Sequence, residues 1–203
     1  MLAKRPSLAS RTDRIGDSPL HYVAKYTTIP PSLILSSRRF LRFLVNSGGD
    51  VNAKNSFGQT PLHMCRSAST IEALLLLGAR TDVKNNLGRT VVHLWMFEHR
   101  YSDQLHSLTI NDLCEQDHLL RTPLHYAHMS QFYRDFKSFI IQFVTTSDNS
   151  IHSILNTDRL RRTLLHYVGR AHMEEHFEYL INQGADEELE DIDNATAMLL
   201  YCI

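Results

Sequence analysis

Thr60-Pro61-Leu62-His63 decides the reading of this chain, because it recurs. It returns, intact or worn, as Ser18-Pro19-Leu20-His21, Thr90-Val91-Val92-His93, Thr122-Pro123-Leu124-His125 and Thr163-Leu164-Leu165-His166. A weaker sixth start stands at Thr196-Ala197-Met198-Leu199, and the leading residues lie 42, 30, 32, 41 and 33 positions apart. A tetrapeptide that returns at a period near 33 marks a repeat array, which sets the register for every other motif.

Each copy is also a helix start. A Ser or Thr hydroxyl caps free backbone N–H groups, and proline is tolerated at the first helical position. From Thr60 the spacing predicts an inner helix over 60–67 and an outer helix over 71–77, stopped at Gly78. In the first unit Ser32 or Ser36 is expected to cap the outer helix, along which Leu33, Phe40, Leu41, Leu44 and Val45 recur at helical spacing. The third unit is least regular, with Trp95 and Met96 at positions that elsewhere hold small residues and an outer helix expected over 103–110. In the fourth, Phe132, Phe136, Phe139, Ile140 and Phe143 form an apolar stripe on a long outer helix, followed by a polar linker over 145–150. Between units, stretches such as 50–59 are too polar and turn-rich for a helix and read as extended, hairpin-like fingers.

The composition is that of a soluble folded chain: 203 residues, 43% hydrophobic and 21% charged. A net charge of −1 gives no global signal for nucleic acid or an anionic membrane. No apolar run approaches the roughly 20 residues of a membrane helix. Cys65, Cys114 and Cys202 are odd in number and scattered, which fits a reducing, intracellular compartment and builds no disulfide framework. Residues 1–12 hold three cations and no acid and read as a flexible basic tail.

The arrangement resembles the ankyrin repeat, whose signature couples the Thr-Pro-Leu-His start to a Gly-containing finger. The matching residues are Gly58-Gln59-Thr60-Pro61-Leu62-His63 with Leu75-Leu76-Leu77-Gly78-Ala79, and Thr122-Pro123-Leu124-His125-Tyr126-Ala127. The family's Asp-x-x-Gly-x-Thr pattern is carried by Asp13/Gly16/Ser18, Asn55/Gly58/Thr60 and Asn85/Gly88/Thr90. It continues as Asp117/Leu120/Thr122, Asp158/Arg161/Thr163 and Asp191/Asn194/Thr196, with Leu120 and Arg161 standing where the finger glycine belongs. The resemblance implies an all-α solenoid of helix-turn-helix units with β-hairpin-like fingers over residues 13–203. Its repeats fall near 13–54, 55–84, 85–116, 117–157 and 158–190, with a partial one at 191–203. It further implies a protein-interaction module, scaffold or adaptor without catalysis, cofactor or metal.

Three groups of residues compete for a functional role. The resemblance places His21, His63, His93, His125 and His166 against neighbouring fingers, bonded to backbone rather than to a metal. His172-Met173-Glu174-Glu175-His176 matches an inverted zinc-peptidase motif, but the register puts His172 in the turn between two helices, so the imidazoles would straddle a bend. Cys65 reads as a buried structural thiol. On the family scheme, the finger position Ile15, Phe57, Leu87, Leu119 and Leu160 is persistently apolar. The residue before each inner helix, Asp17, Gln59, Arg89, Arg121 and Arg162, turns basic toward the C-terminal half. Two readings stay open: tips that stack on one another beside solvated arginines, or a concave face for an acidic, partly apolar protein segment. The candidates for the second are Phe57, Leu87, Arg89, Leu119, Arg121, Arg159, Leu160 and Arg162. Alternatives to the free-standing module are the targeting portion of a larger enzyme or channel, for which the stop at Ile203 speaks, and the zinc peptidase.

Overall fold

An Asp or Asn carboxamide or carboxylate oxygen two and four residues ahead of two backbone N–H groups is enough to fold a tight turn. The computed structural model describes residues 8–26, 34–98, 110–129 and 156–202. Among the described residues the chain uses that device six times. Within them, Oδ1 of Asp13, Asn55, Asn85, Asp117, Asp158 and Asp191 each accepts the N–H groups of the second and fourth following residues, at 2.8–3.1 Å. The N–H of each turn's first residue donates to the carbonyl of the fifth, as from Asn55 to Gln59 at 2.9 Å. These fingers are turns and not strand pairs: among the described residues the bridge Glu190–Thr196 is the one β contact recorded. The sixth turn, at Asp191, is built like the other five and leads into a helix over Ala197–Cys202.

The fourth residue of each turn must take positive φ. Gly16, Gly58 and Gly88 do so at 70–80°, and Leu120, Arg161 and Asn194 keep the same geometry at 57–59°. The missing glycine therefore does not change the turn. It adds strain, because a left-handed residue with a Cβ costs about 1–2 kcal/mol, least for Asn. Leu120 and Arg161 are exposed, so burial does not offset that strain. Leu120→Gly and Arg161→Gly should each raise unfolding stability by about 1 kcal/mol, read as a higher denaturant midpoint at unchanged slope. A lower midpoint would show that these side chains make contacts worth more than the strain.

The described residues fall into two compact units, one running to Val91 and the other from Val92. The first contains α1 (Pro19–Tyr26), α2 (Ile34–Asn46), a 3₁₀ turn (Pro61–Met64) and α3 (Ala68–Leu76). α1 packs on the 3₁₀ turn and on α2, and α2 on α3. Leu20, Leu41, Leu62, Ile71 and Leu74 are fully buried between them, each stabilising by about 2 kcal/mol. Neighbouring turns are joined by backbone: Ser56 N–H donates to Ile15 (2.8 Å) and Asn86 N–H to Phe57 (3.0 Å).

Several expectations change here. The inner helix expected over 60–67 is a single 3₁₀ turn ending at Cys65, and the outer helix starts early, at Ala68. The short 30-residue interval from Thr60 to Thr90 thus goes with a shortened inner helix. α2 begins ahead of Ser36, which is inside the helix and not its cap; Ser32 lies outside the described residues. Phe40 faces solvent, and Leu41 and Leu44 form the buried face. Of the tail, residues 1–7 lie outside the described set, and Ala9 is buried.

In the second unit α4 (Val91–Glu98), opening at the division itself, buries Trp95 and Met96. It is followed by α5 (Ile110–Cys114), α6 (Pro123–Met129), α7 (Leu164–Arg170), α8 (Glu174–Asn182) and α9 (Ala197–Cys202). α6 packs on α5 and α7, and α7 on α8 and α9, around Leu113, Leu124, Leu164, Leu165 and Leu180. Arg159 N–H donates to Leu119 (2.9 Å) and Ile192 N–H to Leu160 (3.1 Å), the same turn-to-turn bond as in the first unit. The helix expected over 103–110 lies outside the described residues except Ile110, which starts α5. The Phe132–Phe143 stripe and the linker over 145–150 lie outside them too.

Candidate partner-binding face

The recurrent histidine is held from both ring nitrogens. In the second repeat the Thr60 N–H points at His63 Nδ1 (3.2 Å), with the Thr60 hydroxyl at 2.9 Å. A backbone N–H only donates, so Nδ1 is the acceptor and the proton sits on Nε2. Nε2–H then donates to the Arg89 carbonyl at 3.2 Å, in the next turn. His21 repeats this with Ser18 and the Gln59 carbonyl (3.0 Å), and His125 with Thr122 and the Arg162 carbonyl (3.3 Å). His93 Nε2–H reaches the Arg121 carbonyl at 3.1 Å. Burial pushes His63 and His125 down to about 4, and His166 down as well. His21, His63 and His125 are struts that tie one repeat's helix start to the next repeat's turn, and His63 and His125 are neutral. In the last strut, His166 accepts from Thr163 (3.2 Å), but Nε2 lies buried beside the Ala195 and Leu189 carbonyls without closing the second bond.

A second pairing was not visible from the tetrapeptide alone. Where the turn begins with Asp and the residue after the histidine is Tyr, the phenol donates to that carboxylate: Tyr22 to Asp13 (2.6 Å), Tyr126 to Asp117 (2.7 Å) and Tyr167 to Asp158 (2.6 Å). The turns that begin with Asn55 and Asn85 carry Met64 and Leu94 at the equivalent place. A carboxylate has a lone pair left after holding its turn, and a phenol uses it; the amide offers Asn55 Nδ2 to Asp17 instead, at 2.8 Å.

The candidate site residues sit on the turns. Phe57 is 58% and Leu87 54% exposed in the first unit, with Arg89 half-buried behind them. In the second unit Leu119 and Arg159 are exposed and Leu160 is half-buried. The turn-to-turn backbone bonds bring Phe57 beside the Leu87 turn, and Leu119 beside Arg159 and Leu160. Ile192, also exposed, was missed in the sequence because it stands one place ahead of the apolar column, whose sixth position is Asp193.

Arg121 and Arg162 are not solvated charges. Arg121 donates to Asp117 (2.9 Å) and to the Tyr126 hydroxyl (2.6 Å), with its guanidinium 4.7 Å over the Tyr126 ring. Burial pushes the Asp117 carboxyl up, but the Tyr126 hydroxyl and the amide and guanidinium of Arg121 hold it below the usual carboxylate range. Arg162 donates to Asp191 (3.3 Å) and lies 3.9 Å from Asp193. Among the described residues neither Arg159 nor Arg161 has an ion-pair partner, so they carry the outward positive charge of these turns. A cavity of about 510 Å³ opens beside Arg162, lined also by His166, Tyr167, Arg170, Asp191 and Leu200.

His172 lies in the turn between α7 and α8 with φ 54°, and its ring is bonded to the Tyr201 carbonyl (3.0 Å). His176 is on α8, beyond the cap at Met173. The two do not share a helix face, as the register required. Among the described residues no three metal-ligating side chains cluster. Cys65 is buried, which pushes its thiol well above the ordinary range.

No protein-family model matches the chain. The solved ankyrin-repeat domain of Bcl-3 superposes with a TM-score of 0.70 over 95% of this chain and 81% of that one, at 19% identity. The fold is that of the ankyrin repeat. A chain from the complex of the Bdellovibrio bacteriovorus predatory endopeptidase Bd0816 with immunity protein Bd3460 superposes at 0.68, over 95% and 92%, at 20% identity. In sequence, human transient receptor potential cation channel subfamily A member 1 is 30% identical over 94 residues, 42% of this chain and 8% of the channel. Human B-cell lymphoma 3 protein is 29% identical over 105 residues, 50% of this chain and 22% of that protein. The ankyrin chain therefore matches less than a quarter of either relative's length. Among the described residues no helix is long and apolar enough to cross a membrane.

Proposed function

We propose that this ankyrin-repeat chain is a non-catalytic, intracellular protein-interaction module. It holds a partly apolar, acidic segment of a partner protein along its turn tips. The observation that carries this reading is the run of exposed apolar side chains at the turn tips: Phe57 and Leu87 in one unit, Leu119 with half-buried Leu160 in the other. Cationic Arg159 and Arg161 flank the second set. Bare apolar tips cost solvation unless a partner covers them, and guanidinium groups beside them select carboxylates. Arg89, Arg121 and Arg162 stand behind the tips, the last two oriented by Asp117 and Asp191. The complex from which one structural neighbour comes joins an endopeptidase to an immunity protein, which is consistent with a protein-binding role for the fold. Protein is favoured over nucleic acid because the chain's net charge is −1.

The reading is tested by comparing tagged wild type with two variants, Phe57→Ser/Leu87→Ser and Leu119→Ser/Arg159→Glu. A protein retained by wild type should be lost at least about 10-fold from each variant, at unchanged melting temperature. Retention at wild-type level by both would remove the tip surface. Reversing Arg121 is a poor probe, since it would set a second carboxylate against buried Asp117.

A second reading treats the repeats as the targeting portion of a larger enzyme or channel. Its support is that the matched segments are only 8% and 22% of the two human relatives. An immunoblot of the endogenous protein separates the readings: a band near 23.4 kDa supports the free-standing module, and a much larger one the fragment.

A further inference from the structure

Charge is divided along the chain in a way its net value hides. Residues 1–49 contain eight Lys or Arg and two Asp or Glu, whereas residues 171–203 contain nine Asp or Glu and no Lys or Arg. The two stretches also expose apolar surface beside those charges. On α2, Arg39, Phe40, Arg42 and Phe43 all face solvent. Phe40 is 49% and Phe43 46% exposed, and their rings stack 6.4 Å apart. The helix holds no acidic residue, and Glu72 takes up Arg38 alone. Among the described residues Arg39 and Arg42 have no ion-pair partner. The opposite chemistry is found at α8 and α9. A groove of about 360 Å³ is lined by Phe177, Ile181 and Met198 and rimmed by Glu178, Glu187 and Asn182. Glu174 and Glu175 extend the acidic face along α8.

We propose that the occupant of each surface is a second copy of this chain. The Phe40/Phe43 face of one copy enters the acidic groove of the next, with Arg39 and Arg42 donating to Glu178 and Glu187. Apolar residues meet apolar residues and every charge meets its opposite, which neither surface achieves against its own kind. The contact is heterologous, so a pair of copies keeps one free donor face and one free groove, and successive copies add in a chain unless the geometry closes a ring. Two aromatic side chains bury on the order of 300–500 Å², well short of the roughly 1,200 Å² of a firm interface. The association is therefore weak, concentration-dependent and sensitive to salt. It uses surfaces other than the turn tips and stands independently of the tip-binding reading.

Sedimentation velocity tests it. Wild type should gain mass with concentration at about 20 mM salt and return to monomer at about 500 mM, where screening acts within a few ångströms. Arg39→Glu/Arg42→Glu should be monomeric, and so should Glu178→Arg/Glu187→Arg, each pair weakening association about 100-fold. An equimolar mixture of the two variants should associate again, because the first keeps an acidic groove and the second a basic α2 face. The proposal is overturned by a wild type that stays monomeric at low salt, by a reversed variant that still associates, or by a mixture that does not. Binding of monomeric wild type to phosphatidylserine vesicles through Arg39 and Arg42 would likewise overturn it, assigning the α2 face to a membrane. Helical circular dichroism of each variant guards against misfolding; if one unfolds, the other pair still decides.

Discussion

Acidifying the protein from pH 7 to pH 4 should remove on the order of 5 kcal/mol of stability through His63 and His125 alone. Both are neutral in the fold, with burial pushing them down to about 4, while the unfolded chain protonates them at 6.5. Unfolded chains therefore bind more protons than folded ones between those values. The stability is fully present above pH 6.5 and is lost as pH falls toward 4, at about 1.4 kcal/mol per pH unit for each ring. His166, also pushed down by burial, adds in the same direction. Asp117 and Asp191, held below the usual carboxylate range, extend the loss to still lower pH. Protonating Nδ1 explains the sign at the atomic level: it would set an N–H against the Thr60 or Thr122 N–H that it now accepts. Denaturant midpoints measured across this range should fall steeply below pH 6.5. A flat profile between pH 6.5 and 4.5 would mean the rings are not buried struts.

Gly58→Ala should be among the most damaging single changes, costing about 3–4 kcal/mol. A Cβ there would lie 2.4 Å from Asn86 Oδ1 and 2.7 Å from Asn86 N, at φ 70°. Asn86 has no room to retreat, because its N–H is bonded to Phe57 (3.0 Å) and its Nδ2 to Ser56 (2.9 Å). The comparison that isolates the clash is Gly184→Ala, where φ is 90° but no atom lies within 4 Å of the added carbon. That change should cost only the backbone strain of about 1 kcal/mol. Equal losses at the two sites, in chemical denaturation, would show that the Asn86 turn yields more than its hydrogen bonds imply.

What could be read from residues alone was whatever repeats locally. The Thr-Pro-Leu-His starts are short and carry their own capping chemistry, so the register followed from spacing, and the ankyrin resemblance read on that register placed the histidine contacts and His172. The Asp-Tyr pairs were missed because they join positions nine apart that become neighbours only when a turn folds back on its helix. Arg121 and Arg162 looked like an outward patch since their partners come from folding: Asp117 is turned toward Arg121 by its own finger, and Asp191 belongs to the next repeat. Leu120 and Arg161 concealed turns that tolerate positive φ without glycine, because the Asp117 and Asp158 carboxylates enforce the geometry. The shortened inner element at Pro61–Met64 escaped for a different reason. Helical periodicity across 60–67 does not say which part of a unit absorbs a three-residue deletion. Phe40 sat among apolar neighbours at helical spacing, and only packing shows that Leu41 and Leu44 won the buried face.

Above all, His63 and His125 stand as neutral struts between repeats, bonded from both ring nitrogens. Long-range ¹⁵N–¹H correlation spectra recorded through a pH titration test this most directly. His63 and His125 should show the Nε2–H tautomer at neutral pH and remain unprotonated until about pH 4. An Nδ1–H tautomer, or titration of either ring at its ordinary value of 6.5, would contradict the claim.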